Sequence, residues 1–512
     1  MFAEDRRTKL LTLLLSCFGL FMVLLDVTIV NNALPSIQRQ LGASFSGLQW
    51  VVDAYTLVFA SLLLSSGALG DRQGRKRWFL LGLTVFVAGS ALCGAAPNLG
   101  VLIGARALQA VGGACLSPTS LALLTNAFPD PRERAQAIGI WSGVSGISLT
   151  AGPLIGGALV DGPGWRWVFY VNLPVGILAF LAATRFLTES VHPRPRRLDL
   201  AGQLLSIATL GSLVYALIEG GSKGWTSPLI LAMFALAALG FTALLLVEAR
   251  LQEPMIELRF FRNRSFSGTN LIAFLTFFAL FGFSFFNTLY FQEIRGYSAF
   301  HAGLLFLPAS LAIIVMAPFA GRIAGARGPG LPIAVGTAVA GTGLLTLLSL
   351  RLDSPYSAIW WSIALFGAGL GLELAPMATA AVAGMPPAQA GVASAVLNTS
   401  RQVGGAVGIA LLGAIFGNRF RAALPPTIRA HAGTATATGG FQVTDPALRR
   451  AIGNAFVSAI HVGYLVSGGF VLLCTVLAVT LLGAFRRQPA ASAPTPPPVP
   501  AATAPDETLR RP

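Results

Sequence analysis

Apolar runs of about 20 residues, the length a helix needs to cross a hydrocarbon layer of roughly 30 Å, recur along nearly the whole chain. Fourteen fall at roughly 10–34, 48–69, 78–96, 99–126, 135–160, 167–187, 200–219, 228–247, 266–292, 300–320, 331–350, 356–384, 389–416 and 455–484. Of the 512 residues 54% are hydrophobic and 11% charged, where soluble chains carry about a quarter charged. The expected fold class is an all-α polytopic membrane protein.

In a soluble protein a net charge of +15 would point to nucleic acid; here the basic residues sort by topology. An even number of spans puts both termini on one side. With the N-terminus inside, 23 of the 35 Lys and Arg fall in cytoplasmic segments, 10 in external ones and 2, Arg106 and Arg401, within the membrane. Cationic loops favour the cytoplasm, so both termini are expected there. Arg449 and Arg450, near the start of span 14, fit worst. No nucleic-acid partner is expected, and nothing in the sequence requires a protein partner beyond the lipid bilayer. Cys17, Cys93, Cys115 and Cys474 sit in apolar runs without paired spacing, so neither a disulfide framework nor a metal site is expected. The basic then apolar N-terminus lacks a small-residue cleavage site and reads as an uncleaved first helix.

The clusters "GDRQGRKR" (70–77), "HPRPRR" (192–197) and "RFFRNR" (259–264) mark cytoplasmic loops. The last two flank spans 7 and 8, which suggests two inserted helices. The expected domains are a six-helix bundle over 1–190, the inserted pair with its linkers over 191–260, and a second six-helix bundle over 261–485. That second bundle carries a long external loop at 417–454, and a Pro/Ala-rich tail at 486–512, with no apolar face to bury, is expected to be disordered. The spacing Gly67-x-Leu69-x-Asp71-Arg72-x-Gly74 recurs as Gly321-x-Ile323-x-Gly325-Ala326-x-Gly328 without its charged pair, consistent with a duplicated bundle.

Charge inside the membrane costs several kcal/mol unless it is paired, neutralised or set in a cavity. At 1.5 Å per residue, Asp26, Asp53 and Arg106 lie roughly 12, 8 and 10 Å from the outer ends of their spans. Two carboxylates share one layer with one arginine. One reading is an ion pair that holds helices together. The other is a proton site, since low dielectric raises a carboxyl pKa and a nearby arginine lowers it, so that a moving partner switches it. Glu373 and Arg401 form the corresponding candidate charge pair of the second half, structural or functional. Glu219, Glu248, Glu293, His301 and His461 lie at helix ends and are read as interfacial. The phenylalanines of 274–291 would suit a cavity for flat lipophilic cations, although lipid-facing rings are the commoner case.

"GALGDRQGRKR" (67–77) resembles the signature loop of the major facilitator superfamily. "LDVTIVNNALP" (25–35), "WVVDAYTL" (50–57), "RALQAVGGA" (106–114), "AGPLIGG" (151–157), "GWRWVFYVNLPVG" (164–176) and "NTSRQVGGAVG" (398–408) narrow the resemblance to its fourteen-helix drug:proton antiporter branch. Ala110 and Ser148 stand where that branch carries glycine, small for small. The resemblance implies two six-helix bundles plus two inserted helices, and coupling roles for Asp26 and Arg106, with Asp53 at a variable position that tunes preference for cations. It further implies a cytoplasmic gate loop of Gly67, Asp71, Arg72, Gly74 and Arg75, and an antiport motif of Gly152, Pro153, Gly156 and Gly157.

None of the three lysines follows a glycine, so the G-K-[ST] of a nucleotide loop is missing; no cofactor and no enzymatic activity are expected. The reading is alternating access driven by an ion gradient, protons inward against a lipophilic or cationic small-molecule substrate outward. A dedicated exporter of an endogenous metabolite or antibiotic, and a non-transporting sensor on the same fold, stay open. The 32 arginines against three lysines suggest a GC-rich bacterial genome, hence the bacterial inner membrane.

Overall fold

A computed structural model describes residues 2–191, 198–251, 254–255, 257–383, 385, 390–425 and 445–483. The basic cluster at 192–197, residues 426–444 of the expected loop at 417–454 and the tail at 486–512 lie outside the described residues, while 417–423 and 446–454 of that loop are helical. All regular structure among the described residues is helical. In chain order the membrane helices are α1 (Phe2–Leu41), α2 (Phe45–Gln73), α3 (Arg75–Gly94), α4 (Leu99–Ala127), α5 (Pro131–Asp161), α6 (Trp167–Phe186), α7 (Leu200–Lys223) and α8 (Pro228–Arg250). There follow α9 (Arg264–Ile294), α10 (Ala299–Arg327), α11 (Gly330–Ser349), α12 (Trp360–Val382), α13 (Ala390–Ala423) and α14 (Pro446–Leu481). Thirteen are long and apolar enough to span a bilayer singly; α5 makes the fourteenth as a span bent by 42° between Gln136–Ser148 and Ala151–Asp161. Pro153, which lacks a backbone N–H, sits just past the bend. Helix α14 starts at Pro446, earlier than expected, which places Arg449 and Arg450 on exposed first turns rather than in a loop.

Polar residues at the helix starts supply the acceptors that free N–H groups need in a medium without water. Ser44 accepts from Gly47 N at 3.1 Å, and Asn98 from Val101 N at 3.0 Å. Glycines end helices at both copies of the repeat: Gly74 after α2 has φ +113° and Gly328 after α10 has φ +83°, a region open mainly to glycine. The repeated spacing therefore encodes a repeated stop.

Helices α1, α2, α4 and α5 pack as one set with α3 and α6, and α9 to α14 as another. Close approach replaces the hydrophobic drive that lipid cannot supply. A Cβ on Gly89 of α3 would fall 2.6 Å from Gln109 Cα of α4, so only glycine lets these backbones meet. Inserted helix α7 lies against both α2 and α13, with α8 outside it. Its polar contacts go to α2: Gln203 Nε2 donates to Ser61 O at 2.9 Å, and Trp50 Nε1 donates to Glu219 at 3.0 Å. Toward α13 it presents Val214, Leu217 and Ile218 against Ala406 and Ala410. One sequence reading is corrected: most phenylalanines of α9, including Phe277, Phe278, Phe281, Phe283, Phe285 and Phe286, are buried in the protein rather than facing lipid.

Glycine contact predicts a contrast. Gly89→Val should lower stability in detergent by about 2 kcal/mol or more through backbone overlap. Gly104→Ala, with nothing within 4 Å of the new methyl, should raise it by roughly 0.5–1 kcal/mol. Thermal unfolding followed by circular dichroism checks both.

Candidate functional site

Asp26 of α1 and Arg106 of α4 are each about 1% exposed. Arg106 Nη1 donates to Asp26 Oδ2 at 2.5 Å and to Gln109 Oε1 at 2.7 Å, while its Nε donates to Val51 O at 3.1 Å. The other carboxylate oxygen, Oδ1, accepts from Gln109 Nε2 at 2.8 Å and Asn172 Nδ2 at 3.3 Å; both amides also donate to Ser90 Oγ, at 2.7 and 3.3 Å. Tyr55 lays its ring over the guanidinium at 4.2 Å. Five helices thus converge on one ion pair whose carboxylate has both oxygens hydrogen-bonded, the condition under which buried charge is tolerated.

Asp53 lies apart from this network. Val51 and Tyr55 of α2 face Arg106, and a residue two positions from either points across the helix. Asp53 is fully buried; Thr56 Oγ1, one turn along its own helix, donates to Oδ1 at 3.3 Å, and Oδ2 has no partner among the described residues. The expected layer of two carboxylates around one arginine therefore resolves into a closed pair and a separate carboxyl.

The two helix sets meet on the face where α1 ends and α2 begins. Asp161, closing α5, accepts from Ala299 N at 3.0 Å and Phe300 N at 2.8 Å at the start of α10. Arg39 pairs with Glu293 at 3.0 Å, Gln292 Nε2 donates to Asn32 O at 3.1 Å, and Gln49 Nε2 donates to Ile409 O at 2.8 Å. Of the glycines of "AGPLIGG", Gly157 serves this closure, while Gly156 packs α5 on α1 within the first set. A Cβ on Gly156 would lie 2.7 Å from Ile29 O of α1, and one on Gly157 2.6 Å from Phe300 Cα of α10. Asn32 Nδ2 donates to Pro153 O at 2.5 Å, tying α1 to the bend.

On the opposite face the sets part around a cavity of about 370 Å³ lined by α2, α4 and α13 and by the gate loop. Gly67, Asp71 and Arg75 line it; Arg75 holds Asp71 at 2.8 Å through both Nε and Nη2. Arg72 is exposed beside them. Gly74 leaves α3 without a side-chain cap, and Glu189 takes that role from beyond α6, accepting from Lys76 N at 3.0 Å and Arg77 N at 3.2 Å. A Cβ on Gly74 would fall 2.7 Å from Glu189 Cδ, so the invading carboxylate needs glycine there.

In the second set Glu373 and Arg401 do not meet as an ion pair. Arg401 donates to Leu374 O at 3.1 Å and to Asn398 at 3.4 Å and lies 5.3 Å from the Phe277 ring, whereas Glu373 accepts from Thr276 at 3.4 Å. Glu373 Oε1 and Arg401 Nε have no hydrogen-bond partner among the described residues. Sequence reading missed Gln109, Asn172, Ser90, Tyr55, Asp161 and Glu189. Gln109 and Asn172 stand inside quoted motifs and are polar residues in apolar runs, the signal that had singled out Asp26.

Residues 16–409 match the family model described as Major Facilitator Superfamily. Among curated proteins the chain is 41% identical over 420 residues to the "Multidrug resistance protein Stp" of Mycobacterium tuberculosis, covering 82% of this chain and 78% of that one. It is 34% identical over 519 residues to the "Tetracenomycin C resistance and export protein" of Streptomyces glaucescens, covering 96% and 95%. Among solved structures, a bacterial homolog of the human lysosomal transporter Spinster, inward-facing and occupied, superposes with TM-score 0.64 at 17% identity, covering 94% of this chain and 98% of that one.

Removing one member of the buried pair strands the other. Asp26→Ala is expected to cost about 3–5 kcal/mol, the penalty of an uncompensated buried charge. Adding Arg106→Leu should recover a large part of that loss. Unfolding of the single and double variants in detergent tests this, and additive losses would contradict it.

Proposed function

The chain belongs to the major facilitator superfamily, and on that premise we propose that it is a proton-coupled antiporter exporting drugs or related lipophilic small molecules by alternating access. Its family and fold are those of multi-pass membrane transporters rather than of enzymes. The observation that carries the proposal is an asymmetry: one face is latched between the helix sets by Asp161, Arg39 and Gln49, and the other opens into a cavity, while a sealed ion pair sits inside the first set. The basic bias of the loops makes the open face cytoplasmic, in a bacterial inner membrane with both termini inside.

In the proposed cycle the moving bodies are α1 to α6 and α9 to α14, with α7 and α8 between them. Arg106 and a proton compete for Asp26: either the carboxylate holds the guanidinium, or it takes a proton and releases it. Arrival of substrate from the cytoplasmic side drives one state and outside protons drive the other. Asp53, with no cation beside it, is the second proton acceptor. Asp71 and Arg75 act as the cytoplasmic latch. Glu373 and Arg401 approach each other in a state other than this one. The named relatives include both multidrug proteins and an exporter of a single antibiotic, so breadth of substrate is a matter for measurement.

Asp26→Asn keeps size but removes the charge that exchanges with Arg106 and turns one of the two acceptor oxygens into a donor, so it also lowers stability. In proteoliposomes with an imposed proton gradient, export per inserted molecule should fall to the level of protein-free vesicles. Export at the wild-type rate would refute the coupling role.

A further inference from the structure

At the boundary of the helix sets, between α1 and α5 on one side and α9, α10 and α12 on the other, lies a second cavity of about 70 Å³. Among the described residues its wall contains none that is ionisable: neither Asp26, Asp53 nor Arg106 reaches it. Phe281, Phe283, Phe306 and Phe366 supply aromatic surface, with Phe283 and Phe366 at 4.6 Å between ring centroids. Opposite them stands Asn31 of α1, 4% exposed. Its Nδ2 donates to Ser284 Oγ at 3.2 Å across the boundary, and its buried Oδ1 accepts from nothing among the described residues.

An amide oxygen stripped of water and left unpaired beside an apolar cavity is an acceptor awaiting a donor. An organic cation is poorly served here, because only aromatic faces and neutral oxygens face it and no carboxylate among the lining residues offsets the cost of taking its charge out of water. A flat uncharged ring system fits, edge-on or stacked against the phenylalanines. We infer that this boundary cavity is the core of the substrate site and selects neutral aromatic compounds bearing an N–H or O–H group, which donates to Asn31 Oδ1. The inference rests on the exporter reading and narrows it away from cations. The cavity is smaller than the several hundred Å³ of a drug-sized pocket, so an occupant spreads α1 from α9 and breaks the Asn31–Ser284 bond. Binding thereby acts directly on a contact between the two moving sets.

The test is equilibrium binding to the purified full chain in detergent, with no gradient present. The probes are fluorescent 2-aminoanthracene, flat and neutral at pH 7 with N–H donors, its N,N-dimethyl derivative, which has none, and cationic ethidium. Wild-type protein should bind 2-aminoanthracene about tenfold more tightly than the dimethyl compound, the factor one neutral hydrogen bond supplies, and more tightly than ethidium. Asn31→Ala should collapse the tenfold ratio to near one, and Asn31→Asp should shift preference toward ethidium. A wild-type ratio near one, a ratio that survives in Asn31→Ala, or tighter binding of ethidium by the wild type would each overturn the inference. Binding as expected without gradient-driven export would instead strike the exporter reading alone.

Discussion

The Asp26–Arg106 ion pair is the constraint around which the first helix set is arranged. Two opposite charges at 2.5 Å, each about 1% exposed, survive in a low-dielectric interior only if their remaining hydrogen-bonding capacity is met. Meeting it takes an amide from α4 itself, an amide from α6, a hydroxyl from α3 and a backbone carbonyl from α2. The close fit of α3 on α4 at Gly89 lies against Gln109, the residue that bridges Asp26, Arg106 and Ser90. Packing and electrostatics are therefore one design: a bulkier residue at Gly89 would displace the amide as well as the backbone.

Between the helix sets the balance is different. Contacts on the closed face are mostly hydrogen bonds between a side chain and the backbone: Gln49 donates to Ile409 O, and Asp161 accepts from the first N–H groups of α10. Each contributes about 1 kcal/mol net. A handful of these can hold the face shut and still be exchanged for others, whereas the ion pair with its five-helix shell cannot be dismantled piecemeal. Inserted helix α7 follows the same division, polar toward α2 and apolar toward α13.

The membrane class, the number of spans and the two deep charges of the first set were legible because each rests on a local rule. A long apolar run spans a bilayer, and a charge within it must be compensated. The partner of that charge was legible in kind, yet Asp53 looked equivalent to Asp26 because depth along a helix can be read from spacing while azimuth relative to neighbours cannot. The same gap hid the Glu373–Arg401 separation and the burial of the α9 phenylalanines, whose ring faces are assigned by which helices stand next to them. Pro153 announced a bend, and Gly74 a turn, in the sequence itself. Glu189 as the cap of α3 was invisible, since it arrives from more than a hundred residues away.

On the proposed reading, an Asp26–Arg106 proton site inside the first set and a boundary cavity without ionisable lining keep the driving ion apart from the cargo. Coupling on that reading is mechanical, and α1 is the element that touches both. Asp26 and Asn31 are five residues apart on it, about 7.5 Å along the axis. Thr28, between them, is in hydrogen-bonding range of Ser148 O on α5 at 3.4 Å, just before the bend. Freed from Arg106, α1 keeps its apolar packing, with Met22, Val23, Leu25 and Val30 in the core, while its polar ties to α5 are single bonds such as these. A shift of α1 that opens the Asn31–Ser284 bond also moves Asn32, which ties to Pro153 and Gln292. On that reading one helix connects the proposed proton site, the cavity wall and the closed face, where Arg39 of the same helix pairs with Glu293 of the second set.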